Sequence, residues 1–272
     1  MEKFKSFITE EKEDKYKVVI LTVEHGDKSI TAKKFEKEAS KLGFEVFSSN
    51  FKGVILQYDD KNGYQLSNDK DTVIVNRADT VVFVRGTPNR DSYLDLVSEL
   101  ERIGVTCINS RTTINICADK YRSWNQLKDF RLNQPKTVII PSEEHVDSAL
   151  EALDTKFPII LKTLRGSKGV GVLFIESERS LHSIVQLLFK QDEDSDILIQ
   201  EYIKSDFDVR VLVLGETILG TMRRDVVEGD FRSNVAQGAK VKKYKLSDEE
   251  KNQCLVASKA VGGDFTAVDF IP

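Results

Sequence analysis

The chain sets short, dense apolar runs beside longer stretches in which apolar residues recur every three or four positions. YKVVILTV, residues 16–23, is continuous and rich in β-branched residues, and predicts a strand buried on both faces. SITAKKFEKEASKLG follows with a helical period: Ile30, Phe35, Ala39 and Leu42 share roughly one face, Ser29 is placed to cap it and Gly43 to stop it. FEVFSS is then a second strand, and the strand, helix, strand order predicts a parallel sheet. After LQYDDKNGYQLSNDKDT, a polar segment with an Asn-Gly turn signal that reads as a surface excursion, the order resumes with strand VVFVRG, helix RDSYLDLVSELERIG and strand VTCINS. The N-terminal part, residues 1–110, is therefore expected to be an α/β domain behind a frayed, charged leader.

The pattern changes from residue 111. A helical stretch, ICADKYRSWNQLKDF, leads through a loop with Pro135 to strand KTVII, then to a helix over about 143–153 and strand FPIILKT. DVRVLVL and TILGTMRR alternate strictly around Gly215-Glu216, which predicts an antiparallel hairpin. SDEEKNQCLVASKAVGG opens with a capping box, Ser247 and Glu250, and ends on glycines, so it predicts a helix; FTAVDFIP is one more strand.

Composition narrows the class. With 272 residues, 40% hydrophobic and 31% charged, the chain has the profile of a globular protein large enough for two domains. A net charge of -4 excludes a broadly basic nucleic-acid face, and no apolar run reaches the roughly 20 residues of a membrane helix. With no secretion signal in the opening residues, a cytoplasmic protein is expected. Cys107, Cys117 and Cys254 form an odd set without a C-x-x-C pair and are expected to be buried thiols. His25, His145 and His182 lie far apart without ligand spacing and are given no chemistry, and KQDEDSD at 190–196 reads as a solvated acidic loop.

The candidate chemistry starts at Lys162 and the loop after it, with glycines at 166, 169 and 171 and Lys168 at its tip. It is neither a Walker A loop nor a dinucleotide fingerprint. Because a strand follows rather than a helix, it predicts a hairpin whose bare amides either close over an anion or simply turn the chain. ILIQEYI ends in Glu201 and Tyr202; Asp208 and Arg210 follow, and MRRDVVEGDFRSN adds Arg223, Arg224, Arg232 and Asn234, donors suited to phosphate and carboxylate oxygens. Asp269 interrupts an apolar strand and must be paired, hydrogen-bonded or metal-bound. Bland alternatives stay open: Lys120 as an exposed helix lysine, Tyr202 as core, Arg224 paired locally with Asp225 or Glu228, Asp208 capping or paired with Arg210, and Arg85 as either a solvated charge or a ligand contact at a strand end.

Taken in order, CADKYRSWNQL, PIILKTLRGSKGVGV, ILIQEYI, DVRVLVLGETILGTMRR, GDFRSN and GGDFTAVDF resemble the ATP-grasp superfamily and, within it, the RimK-type glutamate ligases. The resemblance implies an α/β pre-ATP-grasp domain followed by an ATP-grasp domain over 111–272, with a central lobe about 111–195 and an α+β C-terminal lobe about 196–272. It implies an ATP-dependent carboxylate-amine ligase working through an acylphosphate, with ATP and Mg2+ (or Mn2+) as cofactors. The acceptor would be an amino acid, a peptide or a protein; a homo-oligomer is common in the family, and neither nucleic acid nor membrane is a partner. By position, Lys120 and Lys162 would lie near the phosphates under a lid carrying Gly166, Ser167, Gly169 and Gly171. Glu201, Tyr202 and Ile203 would hold adenine, Asp208 the ribose, and Arg232, Ser233 and Asn234 nucleotide and substrate. Arg210 and Arg223 would support the substrate, Arg210 and Arg232 would be the catalytic residues, and Asp269 would be the first magnesium carboxylate. The family continues into a strand with a Glu-x-Asn pair, whereas this sequence ends at Pro272; a piece of a longer product and a chain lacking half its metal ligands are both open.

Overall fold

The structure, a computed structural model, describes residues 16–23, 29–88, 90–164, 171–193, 196–226 and 240–272. The expected leader, His25, Lys168 and the candidates Gly166, Ser167, Gly169, Arg232, Ser233 and Asn234 lie outside the described residues. The chain divides into two compact units, Met1–Asn115 with Gly262–Phe265, and Ile116–Val261 with Thr266–Pro272.

The first unit is built on a parallel sheet. Strands β1 (Lys17–Thr22), β2 (Glu45–Asn50), β6 (Thr80–Arg85) and β7 (Thr106–Ile108) run in the order β2-β1-β6-β7. Their β-branched runs fill a core with Tyr93, Val97 and Leu100 of helix α2 (Asp91–Arg102). Helix α1 (Ile30–Lys41) starts on Ser29, whose side chain accepts from the Ala32 amide at 3.2 Å. Its packed stripe is Ala32, Phe35 and Ala39; Ile30 and Leu42 are exposed, contrary to expectation. Ile30 lies about 200° around the helix from Ala32, and Leu42 has already passed into the cap.

The polar segment after β2 is more than an excursion. It forms an antiparallel sheet of β3 (Ile55–Asp59), β4 (Gly63–Ser67) and β5 (Thr72–Ile74), with the Asn62-Gly63 signal at the first turn, where Gly63 takes a φ of 74° that a side chain would resist. Leu66 and Val73 are buried in the core of the unit. Only one face is covered, so the sequence reads polar. Arg85 is half-buried rather than solvated, its guanidinium lying 5.7 Å from the Phe35 ring centroid and 5.6 Å from that of Phe265. Asn109 fixes Phe265 by donating to its carbonyl at 2.7 Å and accepting from its amide at 2.8 Å. Cys107 and Cys254 are buried, but Cys117, which closes helix α3 (Arg111–Cys117), is exposed.

The second unit contains two antiparallel sheets. In the first, β8 (Thr137–Ile140), β9 (Ile159–Thr163), β10 (Val172–Ile175) and β11 (Ile197–Glu201) run β10-β9-β11-β8. Ile159, Leu161, Ile197 and Ile199 pack on helices α5 (Val146–Leu153) and α6 (Glu178–Gln191) through Leu153, Leu181 and Val185. Helix α4 (Lys120–Asp129) precedes them. In the second sheet the order is β14-β13-β12-β15, with β12 (Phe207–Leu214), β13 (Thr217–Asp225), β14 (Val241–Lys242) and β15 (Phe265–Phe270). Val209, Val211 and Val213 alternate inward with Cys254 of helix α7 (Asp248–Ala260) and leave Asp208 and Arg210 on the opposite face of β12. The capping box is present: the Ser247 amide donates to Glu250 Oε2 at 2.7 Å and the Ser247 hydroxyl accepts from the Glu250 amide at 3.2 Å. Ser247→Ala is expected to lower stability by about 1 kcal/mol, read as an earlier urea midpoint at unchanged slope.

Candidate functional site

The predicted residues gather in two places in the second unit. The first is the end of β9. Asp119 caps helix α4, accepting from the Tyr121 and Arg122 amides at 2.9 Å each, and so fixes Lys120 as the first helical residue. Lys120 Nζ donates to the carbonyls of Thr163 and Leu164 at 2.7 and 3.2 Å, so it is not the exposed helix lysine that its residue type suggests. Lys162 lies opposite Leu198 of β11 and donates to Gln200 Oε1 at 2.6 Å, while the Gln200 amide donates to Thr137 Oγ1 at 2.7 Å.

Among the described residues no carboxylate pairs with either ammonium; their partners are neutral oxygens. Burial, followed by the positive charge of Lys120, pushes the Lys162 pKa down to about 8. Burial also lowers that of Lys120, against a weaker opposing pull from Asp119. Next to them Gly171, the described end of the loop, has a φ of 76°, and a Cβ there would run into the Thr163 side chain. Only glycine fits.

The residues expected at the adenine follow at the end of β11, which Glu201 closes and after which Tyr202 and Ile203 come. The Glu201 carboxylate accepts from the Lys136 amide at 2.8 Å and the Glu201 amide donates to the Lys136 carbonyl at 3.0 Å, extending the β8–β11 pairing by one residue. Tyr202 meets Phe174 edge to face at 5.0 Å, half-buried rather than core, and Ile203 is exposed.

The second place is the outer face of β12. An unbroken hairpin around Gly215-Glu216 would set Asp208 opposite Arg223, but the register slips by one between Leu212 and Val213, so Asp208 faces Arg224. Arg224 Nε and a terminal nitrogen donate to Asp208 at 2.7 and 2.5 Å, and that nitrogen also lies 3.2 Å from Asp269 Oδ2 on β15. Among the described residues Arg224 is therefore paired across the sheet rather than with Asp225 as expected, and Asp208 does not take Arg210; Glu228, the other local partner expected for Arg224, lies outside the described residues. Arg210 instead grips both oxygens of Asp269 at 2.7 and 2.6 Å, while Arg223 pairs with Asp225 at 2.5 Å and lies over the Phe207 ring. Burial opposes the charge of Arg224, yet the Asp208 hydrogen bonds and the two carboxylate charges raise its pKa overall. Asp269 is the one predicted metal ligand among the described residues. It fits Mg2+ in kind, as a hard carboxylate oxygen on an exposed part of the sheet, provided Arg210 yields one oxygen.

One grouping escaped the sequence. His182 Nε2 is 2.8 Å from Asp147 Oδ1, and Glu178 lies one turn before His182 on α6, so three ligand atoms fall within 4.8 Å. The spacing of Glu178 and His182 was a signal; the Asp147 partner, on α5, was not. A surface cavity of ≈ 520 Å³ bordered by Ser142, Glu143, Gln186 and Glu193 contains none of the predicted residues.

Lys162 also makes a test of the site through stability. Its pKa is about 8 in the folded protein and near 10.5 when unfolded, so the unfolded chain holds more protons between those values and the group destabilises the fold fully below pH 8. That cost fades as the pH rises toward 10.5. Lys162→Met is expected to raise stability by roughly 1–3 kcal/mol at pH 7 and by little at pH 10, measured by urea unfolding at both.

With this geometry in view, comparison with known proteins is specific. The RimK-like ATP-grasp domain matches residues 117–272. A probable alpha-L-glutamate ligase of Haemophilus influenzae is 32% identical over 210 residues, 76% of this chain and 68% of that protein. One from Coxiella burnetii is 31% identical over 178 residues, 65% of this chain; the match spans 58% of that relative's length. A solved structure of the ATP-grasp ligase PsnB with a minimal precursor superimposes with a TM-score of 0.68 at 19% identity, covering 94% of this chain and 85% of that one, which shows the shared mixed α/β fold. The chain belongs to the RimK-like ATP-grasp family, a family of ATP-dependent carbon-nitrogen ligases.

Proposed function

We propose that this chain joins a carboxylate to an amine at the expense of ATP, with glutamate or another amino acid added to a peptide, a protein or a small metabolite. The observation that carries the reading is the lysine pair. Two desolvated cations, held among the described residues by neutral oxygens, form a site whose repulsion a polyphosphate would relieve.

In this reading Lys120 and Lys162 bind the β- and γ-phosphates, and the loop carrying Gly166, Ser167, Gly169 and Gly171 closes over them. Glu201, Tyr202 and Ile203 border the adenine, and Asp208 takes the ribose. Asp269 supplies an oxygen to Mg2+, for which Mn2+ would substitute; the ion neutralises charge that develops on the phosphates. The substrate carboxylate oxygen bonds to the γ-phosphorus as its bond to the ADP oxygen breaks. The amine then attacks the acyl carbon, inorganic phosphate leaves, and the amine loses a proton. Arg210, released from Asp269, and Arg232 stabilise negative charge on the transferring group, while Ser233 and Asn234 complete the nucleotide and substrate contacts. Such a transfer asks the protein for position and charge more than for covalent chemistry.

Two structures of one relative by fold favour a peptidic acceptor: PsnB was solved with a precursor peptide, and also with a minimal precursor, Mg and ADP. Among the described residues no helix is long and apolar enough to cross a membrane, which suits a cytoplasmic enzyme with reduced cysteines; a homo-oligomer would appear in gel filtration as a multiple of 30.8 kDa. Release of ADP from ATP and Mg2+ should require both an acid and an amine, and Lys162→Met should lower its kcat/KM by about two orders of magnitude. ADP release that needs neither co-substrate would overturn the ligase reading, and absence of ATP binding would overturn the nucleotide site itself.

A further inference from the structure

Arg224 has no part in the roles above, yet it is the most buried charged side chain among the described residues, at 3% exposure. A guanidinium so enclosed does not reach a ligand. Its Nε and one terminal nitrogen form a fork on Asp208, and the same terminal nitrogen reaches Asp269, so one planar group spans carboxylates from β12 and β15. Asp269 is thereby held by two arginines of unequal burial: Arg224 from within, at 4% side-chain exposure, and Arg210 from the solvent side, at 38%. An incoming cation can displace the outer arginine; the inner one is fixed by Asp208 and by its surroundings.

We infer that Arg224 is a positioning residue that sets the ribose-side carboxylate Asp208 and the metal-side carboxylate Asp269 in one array, so that nucleotide and metal ion are registered against each other through the protein. The inference rests on the nucleotide reading of the site. It assigns Arg224 no contact with substrate. Its consequence is coupling: disturbing Asp208, which is not a metal ligand, alters what Mg2+ contributes to nucleotide binding. Lysine does not replace arginine in this role, because a single ammonium has neither the planar fork nor the reach to two carboxylates.

The test is calorimetric titration of the whole chain with ADP, in the absence and presence of MgCl2, for the unaltered protein, Arg224→Lys, Asp208→Asn and Asp269→Asn. Arg224→Lys is expected to weaken ADP binding about tenfold without Mg2+ and to shrink the gain that MgCl2 gives to the level of Asp269→Asn, with an unliganded melting temperature close to that of the parent. Asp208→Asn should also reduce the MgCl2 gain, and this arm stands if Arg224→Lys does not fold. A folded Arg224→Lys that binds ADP and responds to MgCl2 like the parent, or an Asp208→Asn whose MgCl2 gain is unchanged, overturns the inference while leaving the nucleotide site intact. Failure of the unaltered protein to bind ADP overturns both.

Discussion

Two neighbouring ammonium groups with no carboxylate partner among the described residues constrain everything around them. Burying one unpaired charge is costly, and burying two of the same sign adds repulsion. The protein tolerates Lys120 and Lys162 because each nitrogen has a neutral oxygen aimed at it, from the Thr163 and Leu164 carbonyls and from Gln200. The donors and acceptors are held in turn: Asp119 orients the first turn that carries Lys120, and Thr137 orients Gln200. The end of β9 is therefore cationic, and on the proposed reading it is preorganised for an anion in the sense that the cost of gathering the charges is met during folding rather than at binding.

The second cluster solves the opposite problem. Asp208, Asp269, Arg210 and Arg224 balance in charge, and all four lie on the sheet formed by β12, β13 and β15. Strand alternation puts Val209, Val211 and Val213 into the core and so pushes Asp208 and Arg210 to the other face. Because strands hold their side chains at fixed spacing, small errors in carboxylate position are suppressed by the sheet itself. The first place supplies unbalanced charge, the second supplies geometry.

Much of this was legible in the sequence, and the limit of legibility is physical. The parallel strands, the capping box at Ser247 and the Gly215-Glu216 turn were readable because each depends on a few adjacent residues. The order of motifs carried the family. The small sheet at β3 to β5 was missed as a structured element because a sheet covered on one side alternates with polar residues and here alternates irregularly. The burial of Lys120 could not be read either, since it depends on Thr163 and Leu164, more than forty positions away. Most instructive is Arg224: counting outward from the turn pairs Asp208 with Arg223, and only the slip at Leu212 and Val213 brings Arg224 opposite instead. A bulge leaves no sequence mark as plain as a turn, so the partner of Asp208 was available only from the coordinates.

That single slip decides which arginine is enclosed. Had Arg223 faced Asp208, the fork would have fallen one residue earlier on β13, and alternation would have turned the next side chain away from Asp269. With the slip, Arg224 faces both carboxylates and Arg223 is left to Asp225 and the Phe207 ring. An extra residue in one strand thus exchanges the roles of two adjacent, chemically identical side chains. On the nucleotide reading proposed above, the two clusters have complementary duties toward a triphosphate: the lysines would gain by its arrival, whereas the arginine pair would exchange one partner, Asp269, for another. Since Arg210 is the more exposed of the two, that exchange would fall on it, and the inner fork would hold the carboxylate in place.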